Sequence, residues 1–302
     1  MCILDLIGNT PLIRLDKIAS GVSGVTLLAK AEFYNLSGSV KDRAARAMLV
    51  DGIDKGLLTK DKTVLDATSG NTGIAYAMLG AVLDYSVILY IPQNTSIERK
   101  RMMRSFGAQI VETSPLEGSD GAFLAAQKEA NAHPEKYFYP NQYSNPANPK
   151  AHYDTTGVEI WEQTNHTVTH FIASTGTSGT FMGTSRRLKD YNSEIQAIIV
   201  QPDSPLHGIE GTKHMASTIQ PGIYNPDIAD NIVTVSTSGA YEMARRLARE
   251  EGLFVGVSSG ANVLAALTLA KTLPKGSVVV TILCDGGSRY MSDEFWDGGA
   301  GI

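Results

Sequence analysis

Cysteine is nearly missing from this chain: Cys2 and Cys284 are the only two in 302 residues, one at the extreme N-terminus and one in a late apolar run. Two such thiols do not make a disulfide framework, and a reducing, cytoplasmic compartment is expected. Charge of either sign is thin as well. With 26 basic and 31 acidic residues the formal net charge is −5, which argues against the basic footprint of a nucleic-acid surface. No long apolar run is unbroken; the most apolar stretch, 74–91, contains Gly80 and Asp84 and reads as a buried helix followed by a strand, not as a membrane span. The opening MCILDLIGNTPLIRL has no basic region followed by a signal-type apolar core, so export is not indicated. Six histidines show no HExxH spacing and there is no CxxC, which argues against a metal site. A small molecule is the expected ligand.

What is present is an alternation of strand and helix patterns, the mark of an α/β architecture built on mostly parallel sheets. Short, β-branched apolar runs start at Val25, Thr63, Ser86, Ala108, Val168, Glu194 and Ser277, as strands buried on both faces should. Helices are predicted over 41–55, 72–83, 97–106, 118–132, 178–190, 238–251 and 259–272, several opening at a Ser or Thr able to cap the first turn. The length suits two domains, and the Pro- and Asn-rich stretch from Pro140 to Lys150 reads as a junction between two βα series.

Four segments carry candidate chemistry. In NLSGSVKDRAAR, from Asn35, a Gly/Ser loop delivers Lys41 to the start of a helix. The helix macrodipole disfavours a cation at that end, which favours the neutral, nucleophilic amine that imine formation needs. A solvated lysine paired with Asp42 is the plain alternative. In DATSGNTGIAYAML, from Asp66, the residues Thr68, Ser69, Asn71 and Thr72 offer side-chain donors beside free backbone N–H groups, a setting for a carboxylate. An ordinary capped turn would use the same residues. In ASTGTSGTFMG, from Ala173, the residues Gly176, Thr177, Ser178, Gly179 and Thr180 could wrap a phosphate monoester at a helix start. Neither a GK[ST] nor a GxGxxG pattern is present, so no nucleotide is implied. In LFVGVSSGANV, from Leu253, Ser258 and Ser259 lie between an apolar run and a helix, where a serine could face a pyridine nitrogen or simply cap the helix.

Together, and in this order, the segments resemble the fold type II pyridoxal-phosphate (PLP) enzymes and, within them, the cysteine synthases. IGNTPLIRL resembles the family's opening and PNQYSNPANPKAHYDTTGVEI its junction segment, so the likeness runs nearly end to end. The resemblance implies a two-domain, tryptophan synthase β-like fold, with a larger cofactor domain (1–37 and 146–302) and a smaller mobile one (38–145). It implies a homodimer and a PLP-dependent β-replacement in which O-acetyl-L-serine and sulfide give L-cysteine through an α-aminoacrylate. Lys41 would carry the cofactor as a Schiff base and move the Cα proton. Asn71 would bond the ring oxygen, residues 176–180 the phosphate, and Ser258 the ring nitrogen. Thr68, Ser69, Thr72 and Gln142 would hold the substrate carboxylate. Leu36 stands where the family usually has proline. Cys284-Asp285 and the terminal GAGI resemble the B-type synthases, some of which accept larger sulfur donors. HGIEGTKHM, from His207, lies where relatives recognise the acceptor, with Lys213 and His214 in place of arginines; His152 and His214 are expected to be structural or rim residues. Cystathionine β-synthase and O-phosphoserine sulfhydrylase chemistry remain alternatives, as does a PLP-free scaffold.

Overall fold

The computed structural model describes residues 2–68 and 70–297, and among these the strands form two sheets. The larger has the order β1-β2-β10-β7-β8-β9, built from Leu12–Arg14, Thr26–Ala31, Val278–Leu283, His170–Ser174, Gln196–Pro202 and Asn231–Val235. All neighbours pair in parallel except the edge strand β1. The smaller has the order β5-β4-β3-β6, from Gln109–Thr113, Val87–Pro92, Thr63–Ala67 and Tyr137–Phe138, all parallel. The helices between them are α1 (Lys41–Asp54), α2 (Asn71–Leu83), α3 (Ile97–Ser105), α4 (Gly118–Ala132), α5 (Ala147–Ala151), α6 (Gly157–Gln163), α7 (Gly179–Tyr191), α8 (Thr237–Arg246) and α9 (Val257–Ala270).

Runs buried on both faces became central strands: Phe171, Ile172, Ile199, Val279, Val280 and Ile282 are all shielded from solvent. Helix α9 and the C-terminal half of α8 pack on one face of the large sheet around Ala261, Ala265 and Ala244. Helices α6 and α7 cover the other face around Ile160, Phe181 and Leu188. Among the described residues no helix is long and apolar enough to cross a membrane.

The Pro- and Asn-rich stretch from Pro140 runs into a helix: α5 begins at Ala147 and continues through a π-helical turn, His152–Thr156, into α6. Pro149 falls in the first turn, where its missing N–H has no helical partner to lose, so it does not break the helix. One expectation needs correction: the Ser/Thr caps are mostly absent. Ser236 caps α8, accepting from Gly239 N, whereas α1, α2, α7 and α9 start at Val40, Gly70, Ser178 and Gly256 with no side-chain cap. Those four starts surround one cleft.

Candidate active site

In a parallel α/β sheet the strand C-termini form the natural ligand crevice. Here the loops that follow the C-termini of both sheets converge. Lys41 comes after β2, Thr68 after β3, Gln142 after β6, Gly176 after β7 and Cys284 after β10. They line two adjoining cavities that share Lys41, Asn71, Gly176, Thr177, Glu210 and Gly211; the outer one is about 330 Å³.

Lys41 is the first residue of α1, half-buried, and its amine makes no ion pair among the described residues. The partner that the plain reading gave it is turned elsewhere. Asp42 is fully buried and accepts from the backbone N–H and the hydroxyl of Ser37. Burial pushes its carboxyl up to about 6 against those two hydrogen bonds. The lysine is therefore left to face the cavities.

The loop from Gly176 to Thr180 fits a phosphate. Ser178 adopts φ 73° at the start of α7, and its buried hydroxyl has no hydrogen-bond partner among the described residues. A Cβ on Gly176 would overlap the Gly211 carbonyl oxygen, and one on Gly179 the Asn148 side chain, so the loop closes only with glycine there. Thr177 Oγ1 accepts from Asn148 Nδ2 at 3.1 Å, leaving its own proton to give. Thr180 Oγ1 lies 3.3 Å from His152 Nε2. Burial lowers the His152 pKa to about 3, so that ring stays neutral behind the loop. Free N–H groups at an uncapped helix start, an orphaned hydroxyl and two glycines make a built anion cradle. Gly176→Ala is expected to weaken PLP binding at least about tenfold, roughly 1.4 kcal/mol, in a titration of the apoprotein. Unchanged affinity would mean the loop does not hold the phosphate.

The second loop lies opposite. Thr68 Oγ1 accepts from Gly70 N at 3.0 Å and Gly73 N at 3.1 Å, satisfying the start of α2 from outside the cap position. Thr72 donates to Gln142 Oε1 at 2.8 Å, and Gln142 Nε2 donates to the Ala67 carbonyl at 2.6 Å, so these expected carboxylate ligands are already tied into one unit. Beneath them burial pushes the Asp66 carboxyl up to about 7, although Tyr76 and the Ala67 N–H bond it. Ser69 lies outside the described residues, as does the terminal GAGI.

The two serines at the start of α9 separate. Ser259 Oγ accepts from Cys284 N at 2.8 Å and is structural, whereas Ser258 lines the inner cavity beside Cys284. Burial pushes the Cys284 thiol up to about 11, keeping it protonated despite nearby Lys41. Lys213 lines the outer cavity paired with Asp120 at 2.8 Å, while His214 is half-buried and bonds Ser217. Sequence reasoning gave no role to Arg99, which pairs with Glu210 and lies over the Tyr290 ring at 4.9 Å. Nor did it give one to Arg289, whose guanidinium reaches Asn71 and Ser37. A buried arginine among five charged residues of one helix, such as Arg99 in IERKRMMRS, leaves no local trace in the sequence.

A family model for pyridoxal-phosphate dependent enzymes matches residues 3–285, and the chain belongs to that family. Within it, the chain is 50% identical to a cysteine synthase of Aquifex aeolicus over 96% of this chain and 90% of that protein. It is 43% identical to cysteine synthase B of Pseudomonas aeruginosa, over 98% and 97% of the two. Among solved structures it superposes on cysteine synthase of Entamoeba histolytica with a TM-score of 0.92, at 36% identity, covering 98% of this chain and 90% of that one. The α/β, fold type II expectation and the PLP dependence are thereby upheld.

Proposed function

We propose that the chain makes L-cysteine from O-acetyl-L-serine and sulfide, with PLP held between the two sheets. The observation that carries this is the meeting, in one cleft, of a lysine with no ion-pair partner among the described residues, an anion cradle and a donor-rich helix start. Residues 176–180 hold the phosphate, Lys41 anchors the cofactor through its amine, and Asn71 bonds the ring oxygen. When bound, PLP supplies an electron-accepting ring that stabilises negative charge at the substrate Cα.

The chain's own residues then divide the work. Thr68, Ser69, Thr72 and Gln142 bind and orient the substrate carboxylate, which sets the Cα–H bond toward Lys41. Lys41 takes the Cα proton, acetate leaves from Cβ, sulfide bonds to the same carbon, and Lys41 returns the proton to Cα. Ser258 offers the ring nitrogen a hydroxyl, which hydrogen-bonds it without forcing full protonation and favours loss of the β-substituent over transamination. The segment 38–145 forms the smaller, mobile lobe against 1–37 and 146–302, and the working unit is a cytoplasmic homodimer.

The test is product analysis on the PLP-loaded protein. Cysteine formed from O-acetylserine and sulfide, faster than from O-phosphoserine, supports the reading. Condensation only with homocysteine, to cystathionine, overturns it.

A further inference from the structure

Asn71 lines both cavities, and opposite charges bracket its amide. Arg289 donates through Nη1 to Asn71 Oδ1, while Asn71 Nδ2 donates to Asp285 Oδ2 at 2.6 Å. A guanidinium has no acceptor and a carboxylate no donor, so only one of the two amide orientations satisfies both neighbours.

Neither neighbour is loose. Arg289 is 2% exposed, and its other arm, Nη2, donates to the Ser37 carbonyl in the loop that leads to Lys41. Asp285 is 0% exposed, also accepts from the Tyr290 hydroxyl at 2.6 Å, and sits so close to Gly256 that a Cβ there would overlap its Oδ1. The amide oxygen is thus taken by a cation and one amide hydrogen by an anion. What Asn71 has left for the cleft is its second N–H.

We infer that Arg289 and Asp285 are positioning residues that hold the Asn71 amide so that it presents an N–H, and not its oxygen, to the ring oxygen of the cofactor. This rests on the reading that Asn71 touches that oxygen. An N–H favours a negatively charged ring oxygen, whereas an amide oxygen would repel it. The same Arg289 joins the segment after β10 to the Ser37 loop, so one side chain ties the ring-oxygen side of the site to the approach of Lys41.

The experiment is a double-mutant cycle read on the PLP-loaded protein by absorbance, not by turnover. The ratio of the cofactor's two absorption bands reports the charge on its ring oxygen and is titrated against pH. Asn71→Ala in the otherwise native chain is expected to move the midpoint by about one pH unit, a tenfold change in the ratio. In an Arg289→Met or an Asp285→Ala background the same Asn71→Ala change is expected to move it by less than half as much, because the amide is no longer held. If Arg289→Met fails to fold, the Asp285→Ala cycle decides alone. Equal shifts in all backgrounds overturn the positioning role while leaving Asn71 as a cofactor contact. No shift from Asn71→Ala in the native background overturns the contact itself.

Discussion

Lys41→Ala is expected to lower cysteine formation by at least about 10³-fold while leaving the protein folded. The two halves of that expectation come from different observations. The side chain is half-buried at a helix start and makes no ion pair among the described residues, so trimming it should cost stability within about 0.5 kcal/mol. Its neighbour Asp42 is held by Ser37 and does not depend on it. The cradle at 176–180 is separate in sequence and keeps its geometry, so the variant should still take up PLP, but reversibly. Borohydride reduction followed by peptide mass mapping separates the cases: the native protein should carry the cofactor mass on the peptide containing Lys41, and the variant none. Turnover within tenfold of native in Lys41→Ala would remove the lysine from the chemistry.

How much of this was legible beforehand depended on whether the determining contacts are local. The strand Thr63–Ala67 was readable at both ends because a β-branched apolar run bounded by polar residues has few other solutions when both faces are buried. Of the edge strands, Gln109–Thr113 was read, but the other three, including the two-residue Tyr137–Phe138, escaped. Asn231–Val235 exposes most of its residues, and Leu12–Arg14 is three residues long, so neither shows a periodicity. The loops of the site could be read one by one because each holds its donors within a few residues. Their capping role was misread for two physical reasons: at α2 the hydroxyl that serves the helix start comes from Thr68, outside the cap position, and at α7 the Ser178 hydroxyl does not turn back on the helix. The contacts that organise the site across the fold lie outside any local window. Asn71 meets Asp285 and Arg289 more than two hundred residues away, and Arg99 meets Glu210 across the cleft mouth.

The lysine helix is also fastened from behind, and cutting that attachment should give the largest loss of stability. Arg43, two residues beyond Lys41, bonds both oxygens of Glu32 at 2.8 Å and both oxygens of Glu159 at 2.6 and 2.8 Å. Lys30 completes the group, pairing with Glu159 at 2.6 Å and donating to Gln163 at 2.8 Å. Glu32 and Lys30 are 0% exposed, so removing the guanidinium strands a carboxylate that water cannot reach. Breaking such a group from one side costs about 3–5 kcal/mol, and Arg43→Met should lose that much at pH 7. The loss should depend on pH in a definite sense. Burial alone would raise the Glu159 carboxyl, but the bonds and charges of Arg43 and Lys30 outweigh it and hold it at about 2. A carboxyl whose folded pKa is depressed contributes stability above its unfolded pKa and loses it as pH falls through the folded one. The native protein should therefore weaken between about pH 4.5 and pH 2, whereas the variant, whose carboxylates have already lost their main partner, should weaken less over that range. Denaturation curves at pH 7 and pH 4 should show the gap between them narrowing as pH falls. A gap under about 1 kcal/mol at pH 7, or one that does not change with pH, would show that Arg43 only fills space behind the lysine.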